Sequence, residues 1–168
     1  MSSVYRKAIS VACLTLLSGC LLVLSDMPVF GVCSVSTAPV NFGAYDPTSP
    51  VPLDATGTVT VDCSLNPPPP NPPVNVSIDI GRSTTSGTFT PRSMRNAALP
   101  DVLNYNLYVD SGRTSIWGDG TGGTSIVMLL KINKNTPPLL STVYGRIPAG
   151  QDVSAGFYAD ALIVTINW

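Results

Sequence analysis

The sequence predicts an all-β fold in which short antiparallel strands build a β-sandwich. Glycine and proline contribute 14 and 16 of the 168 residues, which leaves few uninterrupted stretches for long helices. Apolar residues alternate with polar ones at a period of two in several stretches, as expected for strands with one buried face. Turn-forming residues separate these stretches at short intervals, and this spacing favours a sandwich over a single sheet.

The first 31 residues are predicted to be a signal peptide for export, outside the fold. Arg6 and Lys7 precede the apolar run 8–24, which is the order of the n-region and h-region of such signals. An uncleaved membrane anchor is the alternative, but the run contains polar residues and is short for a bilayer core of about 30 Å.

Two cleavage sites remain open. Small residues around Gly31 predict cleavage after that residue, which gives a folded domain at 32–168. Leu17-Ser18-Gly19-Cys20 instead fits a bacterial lipobox, in which Cys20 would be lipidated and the chain would be an outer-membrane lipoprotein. The apolar run continues after Cys20, whereas lipoproteins usually follow this cysteine with a polar tether.

The other two cysteines, Cys33 and Cys63, are expected to form one disulfide. Each lies in a strand-like stretch of a chain that carries an export signal, and exported domains commonly pair their cysteines. A metal or redox pair is the weaker alternative, because the spacing is not CxxC and the chain has no histidine.

The predicted elements follow the alternation in order and number about six to seven principal strands. They are residues 33–45, 57–65, 74–81, 103–110, 126–132, 139–147 and 156–168, with a short piece at 114–117. Pro39 is expected to break the first strand or to confine part of it to a sheet edge. The proline-rich stretch 66–73 and the polar stretch 82–100 are predicted to be loops.

The last predicted strand is the most apolar one. Tyr158, Asp160, Leu162, Val164 and Ile166 share one face, and no turn residue follows them before the sequence stops. Such a strand is expected to need a neighbour on each side.

Composition also narrows the function. Charged residues make up 11% of the chain, the formal net charge is −1 and the basic residues are scattered, so a nucleic-acid surface is not predicted. The chain lacks histidine and a nucleophile elbow, and the glycine-rich stretch 118–124 lacks the lysine and helix of a phosphate-binding loop. We therefore expect no catalysis, no cofactor, no metal and no small-molecule substrate. Trp117, beside these glycines, is interpreted as a packed residue rather than a ligand-binding aromatic.

Several motifs together resemble the spore coat protein U domain, a family similar to the subunits of archaic, Csu-type chaperone–usher pili. The motifs are Cys33-Ser34-Val35-Ser36, Asn41-Phe42-Gly43-Ala44-Tyr45-Asp46-Pro47, Gly57-Thr58-Val59-Thr60-Val61-Asp62-Cys63, Arg92-Ser93-Met94, Leu103-Asn104-Tyr105-Asn106-Leu107-Tyr108, Trp117-Gly118-Asp119-Gly120-Thr121, Val143-Tyr144-Gly145-Arg146-Ile147-Pro148-Ala149-Gly150-Gln151 and Gly156-Phe157-Tyr158-Ala159-Asp160. They occur in the family's order and span nearly all of the chain after the signal.

The resemblance implies an incomplete immunoglobulin-like β-sandwich that lacks its final strand. It also implies a fibre or coat subunit with a periplasmic chaperone, an outer-membrane usher and neighbouring pilus subunits as partners, exported to the periplasm and then to the cell surface, with a role in adhesion and biofilm. A partner would lend the missing strand to a groove lined in part by Leu162, Val164 and Ile166. The family's disulfide falls on Cys33 and Cys63.

Two departures from the family concern the proline-rich stretch and the N-terminus. The prolines of 67–73 stand where relatives usually have a shorter polar connection. Cleavage after Gly31 would leave only Val32 ahead of Cys33, so the subunit would accept a strand without donating one, as at a fibre tip. Cleavage at Cys20 would leave residues 21–32 as a donor strand. A surface adhesin or a lipoprotein outside any fibre is the alternative function.

Overall fold

A computed structural model describes residues 33–63, 74–132 and 135–167, and within these ranges the regular structure consists entirely of strands. The nine strands are β1 (Ser34–Ala38), β2 (Leu53–Asp62), β3 (Val74–Ile80), β4 (Arg92–Asn96), β5 (Val102–Tyr108), β6 (Val127–Ile132), β7 (Leu139–Ile147), β8 (Tyr158–Ala159) and β9 (Val164–Asn167). The all-β prediction is confirmed. The signal peptide, Cys20 and the proline-rich stretch lie outside the described residues. No helix within those residues has the length and apolar character needed to cross a membrane.

The strands form two sheets. One has six strands in the order β1-β2-β7-β5-β4-β8, the other has three in the order β6-β3-β9, and all neighbours are antiparallel. The faces predicted from alternation are buried between them, because apolar residues at a period of two point to one side of a strand. The buried apolar residues from named strands are Val59, Val61, Val76, Ile78, Ile80, Leu103, Tyr105, Leu107, Ile132, Val143 and Ile147.

The register of β1 against β2 explains the disulfide. Ser34 lies opposite Asp62, so the residues just outside this pair, Cys33 and Cys63, meet with their Cα atoms 4.1 Å apart and are bonded. Both cysteines are buried in the core. The predicted disulfide is therefore present, and it closes one end of the sandwich.

Three sequence-based assignments need correction. The stretch 82–100 is not only a loop, because it contains β4, whose buried residues are mostly polar and therefore show no apolar alternation. Residues 156–168 do not form one strand, since β8 belongs to the six-stranded sheet and β9 to the three-stranded sheet. The strand count rises from the predicted six or seven to nine mainly for these two reasons.

Trp117 confirms the packing interpretation. Its side chain is fully buried, and its indole Nε1 donates a 2.9 Å hydrogen bond to the carbonyl oxygen of Ile78. The adjacent Gly118 leaves no room for a side chain, because a Cβ atom there would clash with the side chain of Thr124. The glycine-rich stretch therefore folds into a tight turn that brings Ser125 opposite Trp117.

Candidate functional site: an apolar groove beside the last strand

The last segment of the described chain changes sheets at Asp160. β8 pairs with β4 and β9 pairs with β3, so the four residues between them cross from one sheet to the other. The carboxylate of Asp160 holds the crossing, since it accepts hydrogen bonds from the hydroxyls of Tyr105 (2.8 Å) and Thr84 (2.9 Å) and from the amide of Ala161 (3.0 Å). Burial raises the pKa of Tyr105, and its bond to Asp160 raises it further, so the phenol remains a proton donor in this pair.

β9 is paired along one edge. Its residues lie opposite β3 from Val164 against Ile80 to Asn167 against Ser77. Along the other edge of β9, no strand of the described residues pairs with it. The prediction that this strand has one partner within the chain and an open second edge therefore agrees with the pairing seen in these ranges.

The open edge borders a groove of about 790 Å³. One wall is the segment 39–45, which follows β1, and the other is formed by β8, the sheet crossing and the start of β9. The floor is the core of the sandwich, and almost all of its side chains are buried. The apolar floor residues are Val59, Ile80, Met94, Leu103, Tyr105, Leu107, Val143 and Ile147.

Two glycines position the first wall. A Cβ atom on Gly145 would lie 2.7 Å from both Phe42 and Val40, and one on Gly57 would lie 2.9 Å from Val40. Because these two neighbouring strands lack side chains at those points, the segment can lie directly on the sheet. Phe42 then packs its ring edge-to-face with Tyr105, with centroids 6.0 Å apart.

Further hydrogen bonds anchor the end of this wall. The hydroxyl of Tyr45 donates to the carbonyl of Pro148 (3.1 Å) and accepts from the amide of Gln151 (2.8 Å). β1 itself ends at Ala38, before Pro39, and proline lacks the amide proton needed to continue a ladder. The wall therefore runs beside the groove as a segment outside both sheets.

Arg92 is a buried residue whose role the sequence did not indicate. Its guanidinium donates to the carbonyl oxygens of Ile80 (3.2 Å), Gly81 (2.9 Å) and Trp117 (2.7 Å) and lies 5.5 Å from the centre of the Phe89 ring. Burial lowers its pKa. These bonds tie β4, in the large sheet, to the end of β3, in the small one. In the sequence, a single arginine in a polar stretch gives no pattern that distinguishes a buried, sheet-joining arginine from an exposed one.

The three predicted groove residues do not have equal positions. Leu162, Val164 and Ile166 are all half-buried and pack against the core, as their shared parity predicts. Leu162 and Val164 line the groove, whereas Ile166 is not among the lining residues. The sequence missed the opposite wall and the floor, because these come from strands far apart along the chain.

The site offers shape and apolar surface rather than reactive groups. A free strand edge beside an apolar groove can bind an extended peptide, since the edge supplies main-chain hydrogen bonds and the groove receives alternate side chains. Among the described residues there is no cluster of three or more metal-ligating side chains.

Comparison with known proteins places the chain in a family. The model of the Spore Coat Protein U domain matches residues 18–165. The chain belongs to this family. Protein U of Myxococcus xanthus is 34% identical over 153 residues, which cover 83% of this chain and 79% of that protein.

A solved structure supports the fold of this spore coat U domain protein. A chain in the crystal structure of the CsuC–CsuE chaperone–tip adhesion subunit pre-assembly complex of Acinetobacter baumannii superposes with a TM-score of 0.55 at 19% identity, covering 82% of this chain. The match spans only 40% of that longer chain. The Escherichia coli Hda pilus minor tip subunit, HdaB, gives a TM-score of 0.40 at 15% identity, covering 79% of each chain, and this level of likeness carries no argument.

Proposed function

We propose that the protein is a structural subunit of a bacterial surface fibre or coat, assembled by the chaperone–usher route through donor-strand complementation. The single observation that carries this proposal is the open edge of β9 beside an apolar groove that reaches the core. A periplasmic chaperone first fills the groove with a strand, and the N-terminal segment of a neighbouring subunit then replaces it at an outer-membrane usher. Membership of the Spore Coat Protein U domain family supports the same function.

The other outer edge of the small sheet does not offer such a site. β6 has a register shift where it pairs with β3, and Lys131 adopts a φ of 59° there. Irregular strands and lysines at an edge disfavour the addition of another strand. The edge of β9 has neither a register shift nor a lysine, which favours it as the place where a partner strand binds.

The remaining features of the proposal follow from this function. A fibre subunit is exported, so residues 1–31 act as its signal peptide and residues 32–168 form its domain. It needs no cofactor or catalytic residue. Cleavage after Gly31 would leave a subunit without a donor strand, which fits a position at the fibre tip with a role in adhesion and biofilm. Retention of residues 21–32, as after lipidation or cleavage at Cys20, goes with a subunit that also donates a strand.

Chaperone binding tests the groove directly. We expect the wild-type chain, exported together with a periplasmic chaperone of the chaperone–usher class, to purify as a 1:1 complex. Leu162→Asp places a charge in the groove, and a buried unpaired charge is costly, so we expect it to weaken the complex by at least about a hundredfold. Ile163→Asp is the matched control, because the neighbouring side chain is 59% exposed and lies outside the groove lining.

The outcome separates the proposal from a complete sandwich. Equal chaperone binding by the two variants would contradict the assigned groove. A stable, monodisperse wild-type monomer, produced without any strand-donating partner, would contradict the incomplete fold itself.

A further inference from the structure

A second apolar surface lies at the mouth of the groove. Leu99, Val102 and Phe157 are 43%, 42% and 74% exposed, and we refer to these three residues as the mouth patch. They are neighbours, because the amide of Ala97 donates to the carbonyl of Phe157 (2.9 Å) and Val102 pairs with Arg95 on the adjoining strand. Phe157 also lines the groove, so the patch continues the apolar surface of the groove onto the outside of the molecule.

The opposite end of the sandwich carries another exposed leucine. Leu140 is 69% exposed and pairs with Thr60, one position from the pairing of Leu139 with Val61. Cys63 follows two residues after Val61, so Leu140 lies about 10 Å from the disulfide along the strand. We refer to this region, from Leu140 to Cys33 and Cys63, as the cysteine end.

The strand registers fix the direction of the groove between these two ends. β2 runs from Leu53, opposite Ile147, to Val61, opposite Leu139, so it points toward the cysteine end. β3 ends toward the mouth patch, because Ile80 accepts a hydrogen bond from Arg92, on the strand whose last residue, Asn96, lies opposite Tyr158. β9 is antiparallel to β3, with Val164 opposite Ile80. β9 therefore runs from the mouth patch toward the cysteine end.

A strand added to β9 in the antiparallel sense would run the opposite way and emerge at the mouth patch. All strand pairs in the two sheets are antiparallel, and antiparallel pairing is slightly more stable per residue than parallel pairing. The C-terminal end of such a donor, and whatever follows it, thus lies beside Phe157.

The donor has almost no linker before its own fold. Ser34 is the first residue of β1, and Cys33 immediately before it is fixed by the disulfide. A donor segment that ends at Val32 therefore brings the cysteine end of its own molecule directly against the mouth patch of the acceptor.

We propose that the mouth patch is a seat for the cysteine end of a second copy of this chain, with Leu140 of that copy packed against Leu99 and Val102. The contact is head-to-tail, so it can repeat along a fibre. This inference rests on the proposed function, and it adds a contact between the bodies of successive subunits to the strand that joins them. Apolar surface at both ends would then be buried together in the assembly.

Serine substitutions outside the groove test the contact in the full exported chain. Leu99→Ser and Leu140→Ser are each expected to weaken association, measured by sedimentation of the purified protein, by about tenfold. The double variant is expected to associate about as strongly as either single variant, because each substitution removes the same contact. Met128→Ser is the matched control, since Met128 is 49% exposed but lies opposite Ser77, in the middle of β3, away from both ends.

The results distinguish this inference from the groove itself. If both serine variants associate as strongly as the wild type while Leu162→Asp does not associate, the body contact is overturned and the groove is left in place. Mass spectrometry of the same sample identifies the first residue. A chain that starts at Val32 and does not associate would overturn donation by a second copy, while its chaperone binding would still report on the groove.

Discussion

The two flanks of the sandwich, where the edges of its sheets approach each other, are built in opposite ways. On one flank, Trp117 fills the interior and Arg92 bonds to carbonyl groups from both sides, so the sheets are tied together. On the other flank, the crossing at Asp160 joins the sheets, and a groove of about 790 Å³ lies against the core. We refer to them as the closed flank and the open flank.

The difference between the flanks separates stability from function. On the closed flank, the side chains of Arg92 and Trp117 donate hydrogen bonds to carbonyl groups of the same chain, although Nη1 of Arg92 has no hydrogen-bond partner among the described residues. The open flank leaves a strand edge and apolar side chains for another molecule to cover. Substitutions on the closed flank should therefore affect the folding of the chain alone, and substitutions on the open flank should affect the binding of a strand.

Trp117→Ala is expected to have the largest effect on stability. It removes a fully buried side chain and its bond to Ile78, and large-to-alanine changes of this kind cost about 3–5 kcal/mol. Urea denaturation of the purified chaperone complex, compared with that of the wild-type complex at the same concentration, measures this loss as a lower midpoint.

Leu162→Ala is the corresponding control on the open flank. Leu162 is only half-buried, so we expect Leu162→Ala to lower the free energy of unfolding by about 1 kcal/mol. When samples with the same folded fraction are compared, we expect its affinity for a strand donor to fall by more than that of Trp117→Ala. Equal losses of stability in both variants would remove the distinction between the flanks.

Local alternation predicted the sandwich well where one face of a strand is apolar. β3 and β5 were placed within one or two residues of their observed ends, because Val76, Ile78, Leu103 and Leu107 recur at a period of two. β4 was missed because Arg92, Ser93 and Asn96 are buried polar residues, and their burial depends on partners that lie elsewhere in the chain.

The sheet crossing shows a second limit of sequence patterns. Tyr158, Asp160, Leu162, Val164 and Ile166 all keep the inward parity, and they are half-buried across both β8 and β9, so alternation continues through the change of sheet. The pairing of β8 with β4 and of β9 with β3, together with the bonds from Tyr105 and Thr84 to Asp160, distinguishes a crossing from a continuous strand. One wall of the groove could therefore be predicted from the sequence, while the segment 39–45 on the other side could not.

Gly145→Ala is expected to have an intermediate effect and tests how the open flank keeps its first wall. The new Cβ atom would lie 2.7 Å from both Phe42 and Val40, so the segment 39–45 must move away from the sheet. Overpacking of this kind costs about 1–3 kcal/mol. We expect a lower midpoint in urea denaturation together with a change in strand affinity, because the wall borders the groove.

A double-mutant cycle with Phe42→Ala is the control for this mechanism. Removing the ring that the new Cβ atom meets should reduce the cost of Gly145→Ala, which gives a coupling energy between the two positions. Strictly additive costs would show that Gly145 is required for a reason other than the packing of this wall.

Asp54→Asn is expected to have the smallest effect, because it changes neither flank. The guanidinium of Arg146 bonds to Asp54 at 2.7 and 2.8 Å, and this bond, with the charge of Arg113, holds the pKa of Asp54 below its ordinary value. The carboxylate therefore stabilises the folded state above that ordinary value of 3.8 and loses this contribution as the pH falls through the lowered pKa. Because Asp54 is 35% exposed, we expect Asp54→Asn to cost under about 1 kcal/mol at pH 7. The urea midpoints of the variant and the wild type should converge at a pH below the lowered pKa of Asp54, and strand affinity at pH 7 should stay the same. A constant difference between the two proteins down to that pH would mean that Asp54 contributes through packing rather than through its charge.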